Sequence, residues 1–181
     1  SADSETGKLI YERSLNFLFI VAVRSLFPDA RVRMEHALSG GQYCEIDKEG
    51  YCKPQDVRKI EKRMKELIAA NEVIHRRVVA TAEAQAYFDR LGMKNKANLL
   101  ACRKSATSSI YTLCGYDDYF YGIMLPDTSY LTHFSIRFYA PGVWLSAGNG
   151  FQNQAKLFHV FQEFETWGRL IGVSNIAELN A

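Results

Sequence analysis

Leu15, Leu18, Phe19, Ala22 and Leu26 recur at the three- and four-residue spacing of one helix face, which predicts a helix over Tyr11–Leu26. Pro28 disfavours helical backbone at Phe27, and Asp29 suits the turn that follows. "RVRMEHAL" and "GQYCEI" read as strands of a hairpin around "SGG", where Gly40 and Gly41 both allow positive φ. The clearest element is "KPQDVRKIEKRMKELIAANEVI". Pro54 fits its first turn, Asp56 lies near the positive end of its dipole, and Val57, Ile60, Met64, Leu67 and Ile68 form one apolar stripe. Lys59, Glu61, Lys62, Arg63, Lys65 and Glu66 fill the rest, the mixed charge of a solvated face.

"HRRVVA" follows as a short strand. "TAEAQAYFDRLG" is a helix for which Thr81 offers a cap and Gly92 a stop. "KNKANLLACRK" fits no single period. "SSIYTLCGY" is a strand, "DDYFYGIMLPDTSY" a long aromatic loop, and "LTHFSIRFYAPGVWL" a strand pair. In that pair, alternation puts Phe134, Ile136 and Phe138 on one face and His133, Ser135 and Arg137 on the other. "QAKLFHVFQEFETWGRLIG" is a last helix with a wide aromatic stripe. Asn175 with Glu178 then marks the start of another, so more chain is expected after Ala181. This order predicts an α+β protein: an antiparallel β-sheet with packed helices, plus a C-terminal helix.

Length and composition narrow the function. The chain has 181 residues, 48% of them hydrophobic and 13% aromatic, ample for a packed core. A net charge of +2 is far from the balance of a dedicated nucleic-acid binder. No apolar run reaches the length of a membrane span, since Arg24 interrupts the longest. The start "SADSETGK" is polar and acidic, unlike a secretory signal, so a cytoplasmic location is expected. Cysteines 44, 52, 102 and 114 form no CxxC pair and are expected to be reduced thiols. The four histidines fall into no HxxxH, HExxH or HxE spacing, and no GxxxxGK[ST] occurs, so no local metal or phosphate motif is present.

The stretches "VRSLFPDARV", "GGQYCEI" and "PQDVRKIEKRMKELIAANEVIHRRVV", with "LPDTSY" ahead of a strand, carry a resemblance. Tyr11–Trp144 resembles the second N-terminal domain of threonyl-tRNA synthetase, a module shared with alanyl-tRNA synthetase and free-standing editing hydrolases. In editing members of that family the first helix carries HxxxH and a later CxxxH completes a metal-binding or catalytic constellation. An i, i+4 pair puts two imidazoles on one helix face, where with a thiolate they suit zinc or activate water. Aligned on "FPDARV" and "GIMLPDTS", those places fall on Arg13, Phe17, Phe120 and Met124. Arginine stays protonated, phenylalanine has no lone pair, and methionine is a soft, weak ligand. The resemblance therefore implies an editing fold with its chemistry removed: no catalytic residue and no metal. The expectation is a cleft packed by Phe and Met, with Arg13 paired to Asp117 or Asp118 or reaching solvent. Arg13, His133 and Arg137 remain as candidate ligand-binding residues.

"THFSIRFYAPGVWL" and "AKLFHVFQEFETWGRLIGVSNIAELN" resemble the N-terminal half of bacterial uridine-kinase-like nucleoside kinases, in which a synthetase-like module precedes a P-loop kinase domain. This implies three segments: residues 1–8 a disordered or tag-like end, 9–147 the module, and 148–181 a helix and linker toward a P-loop domain outside the chain. ATP and magnesium would belong to that domain. The reading is a non-catalytic accessory domain for regulation, oligomerisation or ligand sensing, its partners being the kinase domain and a second copy. Two alternatives stand beside it. One is a tRNA-editing-type hydrolase with a relocated site at His36, Cys44 and His133. The other is a tRNA or nucleotide binder using Arg76, Arg77, Lys94, Lys96, Arg103 and Lys104, with Tyr116, Tyr119 and Tyr121 to stack bases.

Overall fold

A computed structural model describes residues 5–38 and 40–147. The helix and linker expected over 148–181 lie outside the described residues. The described chain is α+β with antiparallel sheets and four helices, as the sequence pattern predicts. It divides into two compact units, one of residues 1–22 and 64–132, the other of 23–63 and 133–181.

The first helix, α1, spans Glu5–Leu26, so Glu5–Lys8 are helical where the sequence reading had an unstructured end. Its middle is not merely striped. Phe17, Ile20 and Val21 are buried along with Leu15, Leu18, Phe19 and Ala22. A helix apolar all round is a core helix, and a single-face reading understates it. The second helix, α2, spans Pro54–Ala69 and buries Val57, Ile60, Met64 and Leu67. At its start the Asp56 carboxylate accepts the Lys53 amide at 2.9 Å, three residues back, in the manner of a capping box.

In the first unit, β3 (His75–Ala80), β4 (Thr107–Leu113) and β5 (Tyr116–Tyr119) form a three-stranded antiparallel sheet in sequence order. Helices α3 (Thr81–Arg90) and α4 (Lys94–Ala101) supply Ala84, Phe88, Ala97 and Leu100 to a core with Ile110 and Tyr119. Two expectations fail here. Thr81 does not cap α3: its hydroxyl donates to the Ser105 carbonyl at 2.8 Å and meets Ser108 Oγ at 2.7 Å, leaving Ala80 as the cap. The head of the supposed aromatic loop is a strand, because Cys114 and Gly115, both at positive φ, turn β4 straight into β5. Farther on, Thr128 anchors "LPDTSY" beyond α2. Its hydroxyl donates to the Leu67 carbonyl at 2.7 Å and accepts the Glu72 amide at 3.0 Å.

In the second unit, β1 (Arg31–Leu38), β2 (Gly41–Asp47), β6 (Ser135–Tyr139) and β7 (Gly142–Ser146) form an antiparallel sheet in the order β1-β2-β7-β6. The β1–β2 hairpin is as read, with one refinement. Gly40 has φ +77°, whereas Gly41 is needed for space, since a Cβ there would lie 2.5 Å from Trp144 Nε1. That indole donates to the Leu38 carbonyl at 2.6 Å, within a cluster of Leu38, Tyr43, Tyr139 and Trp144. His133 and Phe134 precede β6; within it Ile136 and Phe138 share one face and Ser135 and Arg137 the other, and Ile136 and Tyr139, on opposite faces, are the buried residues.

Candidate functional site

The four positions singled out by spacing all fall in the first unit. Arg13 and Phe17 are one helical turn apart on α1, and Phe17 is buried. Its ring meets that of Phe120 at a centroid distance of 5.3 Å, tilted by 53°. Met124 is buried in the same 120–125 segment. Arg13 reaches this segment as well: its Nη1 donates to the Ile123 carbonyl at 2.6 Å. Of the two expected outcomes for Arg13, pairing with Asp117 or Asp118 is not found, and the bond to the Ile123 carbonyl lies at the exposed surface. A main-chain oxygen accepts its hydrogen bond, and both carboxylates have other cations.

Two residues that no sequence pattern singles out complete the contact. Ser14 Oγ donates to the Ile10 carbonyl at 2.7 Å and accepts the Leu125 amide at 2.8 Å. Gly122, at φ +112°, lets the Arg13 guanidinium lie on the backbone; a Cβ there would be 2.6 Å from Arg13 Cζ. Tyr111 adds a hydrogen bond of 2.7 Å to the Gly122 carbonyl. Arg13, Ser14 and Phe17 thus fasten segment 120–125 to α1 through a charge-assisted hydrogen bond, an amide bond and ring packing. The donor set does not fit a metal: it offers a guanidinium, two phenyl rings and a thioether. Among the described residues, no group of three His, Cys, Asp or Glu side chains could hold one.

The two carboxylates have separate work. Asp118, buried, pairs with Lys96 at 3.2 Å and accepts the Tyr119 amide at 2.7 Å. Asp117 accepts from Thr112 Oγ1, from Tyr87 OH at 2.5 Å and from Arg77 at 3.2 Å. Burial pushes its carboxyl up, but the hydrogen bonds from Thr112, Tyr87 and Arg77 outweigh it and hold the pKa below the usual value. Its hydrogen bond with Tyr87 pushes that phenol above its ordinary value.

His36, Cys44, His133 and Arg137 belong to the second unit. Cys44 is fully buried, its Sγ donating to the Gln42 carbonyl at 3.7 Å, and burial pushes its thiol up. Burial likewise pushes Cys52 up to about 11. Neither is a ready nucleophile. His36 packs on Tyr43 at 5.5 Å, and His133 is exposed. The basic candidates also divide. Arg76 bonds Ser109 at 3.0 Å, Arg77 pairs with Asp117 and Lys94 with Asp89 at 2.6 Å, whereas Lys96, Arg103 and Lys104 line one groove. Tyr119, expected to stack bases, is buried; Tyr121 is exposed.

An α+β module with antiparallel sheets, in which Arg13, Ser14 and Phe17 of α1 fasten segment 120–125, is the class that fold and site define. No family model matches the chain. Over 135 residues it is 34% identical to the threonine–tRNA ligase of Pelobacter propionicus, covering 75% of this chain and 21% of that protein. The corresponding ligase of Burkholderia lata is 34% identical over 139 residues, 76% of this chain and 22% of the relative. That of Acidovorax ebreus is 34% identical over 145 residues, 80% and 23% respectively. The chain spans about a fifth of the length of these curated relatives. It is homologous to the N-terminal region of threonyl-tRNA synthetases. No helix among the described residues is long and apolar enough to cross a membrane.

Proposed function

We propose that this module is a non-catalytic accessory domain: an editing-type fold whose reactive positions have become packing, kept for regulation, oligomerisation or ligand sensing within a longer protein. One observation carries this reading. At the positions where editing relatives hold imidazoles and a thiol, the chain has the Arg13 guanidinium on a main-chain carbonyl, the Phe17–Phe120 ring pair and buried Met124. None of these groups takes a proton from water at neutral pH, and fold without site carries no reaction. The parent is read as an ATP-dependent uridine or nucleoside kinase, with ATP and magnesium held in its P-loop domain. Support for that parent is the resemblance of the last strand pair and tail alone.

A second reading, an editing-type hydrolase or tRNA-binding module, is favoured by the homology with threonine–tRNA ligases, whose name places them on tRNA. Mischarged tRNA separates the two. With the purified chain present, the ester should hydrolyse no faster than in buffer. Turnover above that background would replace the first reading with the second.

A further inference from the structure

A strand at the end of a sheet leaves half of its backbone donors and acceptors facing outward. Strand β3 ends the three-stranded sheet of the first unit, and five of its six residues are exposed. Which of them face outward follows from the pairing. The Thr81 amide donates to the Ala106 carbonyl at 2.9 Å, in the register that joins β3 to β4. In an antiparallel pair every second residue makes these bonds, so His75, Arg77 and Val79 turn theirs to β4. Arg76, Val78 and Ala80 turn the other way, where no strand among the described residues pairs with them. Just before them the Ile74 amide, on that same outer side, donates to the Pro126 carbonyl at 2.9 Å. The open stretch therefore begins at Arg76 and ends at Ala80, where α3 starts.

The other sheet edges are guarded. Strand β1 carries an irregularity between Met34 and Ala37, β5 is only four residues long, and no residue of β6 is exposed. Strand β3 has no such device: its pairing with β4 runs without a break, and Val78 in its middle is 58% exposed. Its two arginines limit what can pair with it. Arg77 is already matched to Asp117 at 3.2 Å, and Arg76 Nε donates to Ser109 Oγ at 3.0 Å. A second β3 laid antiparallel about a two-fold axis has few registers. An axis at Arg76 or Arg77 sets that arginine against its own copy, and like charges directly opposite destabilise a sheet. An axis at Val79 or Ala80 leaves Arg76 opposite α3 rather than a strand. An axis at Val78 sets Val78 against the partner's Val78, Arg77 against the partner's Val79 and Arg76 against the partner's Ala80. All three outward residues of each chain then face one another, and each arginine faces an uncharged side chain.

We infer that β3 is the seam of a homodimer, in which two copies join their edges antiparallel about Val78 and merge two three-stranded sheets into one. The inference rests on the oligomerisation form of the function proposed above and names its surface. Backbone hydrogen bonds across the seam hold the copies together, and Val78 on the partner's Val78 sets the register.

The test is sedimentation velocity of the full chain over about a hundredfold range of concentration, with amide hydrogen exchange read by NMR at both ends of the range. The chain should pass from monomer to dimer. Across that change, exchange at the Val78 and Ala80 amides should slow at least about tenfold, while the Arg77 and Val79 amides, bonded to β4, are slow throughout. Val78→Pro removes one outward donor and leaves the pairing with β4 whole, since that amide is not part of it. It should weaken association at least about tenfold. Val78→Lys sets two ammonium groups against each other and should do the same, with partial recovery at high salt. Circular dichroism checks that each variant folds. A chain that stays monomeric overturns the inference: a fast Val78 amide would leave the edge to a strand of another protein, and a slow one would mean that another segment of this chain covers it. A dimer with a fast Val78 amide, or one that persists in the folded Val78→Lys variant, places the seam elsewhere and overturns it as well. Hydrolysis of mischarged tRNA would sink the non-catalytic reading without altering the dimer, so the two failures are distinguishable.

Discussion

At the scale of single residues, Gly122 shows how a position without a side chain shapes the contact between α1 and segment 120–125. Its φ of +112° is disfavoured for any L-residue, and its Cβ would strike the Arg13 guanidinium. Gly122→Ala should cost about 1–3 kcal/mol, because backbone strain remains even if Arg13 swings away and loses the Ile123 carbonyl. Gly50→Ala is the control: φ is +76° there, but nothing lies within 4 Å, so only the left-handed penalty of about 1–2 kcal/mol applies. Urea unfolding should rank Gly122→Ala as the more damaging; equal midpoints would show that Arg13 contributes nothing. Asp117 gives a pH signature. A depressed carboxyl pKa contributes stability that is present above the unfolded value near ~4 and lost as pH falls through the lower folded value. The raised Tyr87 pKa contributes stability present below about pH 10 and lost as pH rises through the folded value. Asp117→Asn should therefore flatten the acid limb of the stability profile and return the Tyr87 titration toward an ordinary phenol. Ultraviolet difference titration against Tyr87→Phe reads the second effect, and an unchanged Tyr87 would refute the link.

Elements were legible where local pattern and tertiary role agree. In α2 the apolar stripe is the buried face, and Pro54 and Asp56 stand where helix starts want them. Where tertiary contacts override local preference, the sequence misled. "DDY", Asp117–Tyr119, reads as loop because aspartate is poor in strands. It lies in β5 because Ile110 to Leu113 pair with that strand and Thr112, Tyr87 and Arg77 satisfy Asp117. Nothing local announces Arg77, which antiparallel pairing of β3 with β4 brings near. That Arg13 and Phe17 share one face of α1 was legible from spacing, but Arg13's partner was not, since a main-chain carbonyl leaves no mark in a sequence. The β2–β7 pairing carries a prediction at this scale. Gly142 lies opposite Glu45, and a Cβ on it would collide with the Cys44 carbonyl oxygen, a backbone atom that cannot turn aside. Gly142→Ala should lower stability by at least about 2 kcal/mol. Thermal unfolding followed by circular dichroism measures this; a wild-type midpoint would mean the strands are spaced more widely than the structure has them.

For the whole molecule, the homology spans three-quarters of the chain, and the non-catalytic reading proposed above rests on what stands at Arg13, Phe17, Phe120 and Met124. A fold held by burial needs no bound ion to stand. Phe17 is 1% exposed, and its ring packs against that of Phe120. Phe17→Ala should therefore cost about 3–5 kcal/mol, the loss of a buried aromatic together with the cavity it leaves. A metal-held site would behave differently. Removing the ion would destabilise the chain, because binding free energy to the folded state is part of its stability. Excess chelator should thus leave the thermal midpoint of the wild-type chain unchanged, and elemental analysis after dialysis should find no stoichiometric zinc. The reciprocal experiment installs His at positions 13, 17 and 124 and Cys at 120. If those places converge as a site, the folded variant should take up zinc near one equivalent and lose its midpoint on chelation. A folded variant that ignores zinc would mean that these positions are not the vestige of a metal site, and the argument from replaced ligands to lost chemistry would fall with it.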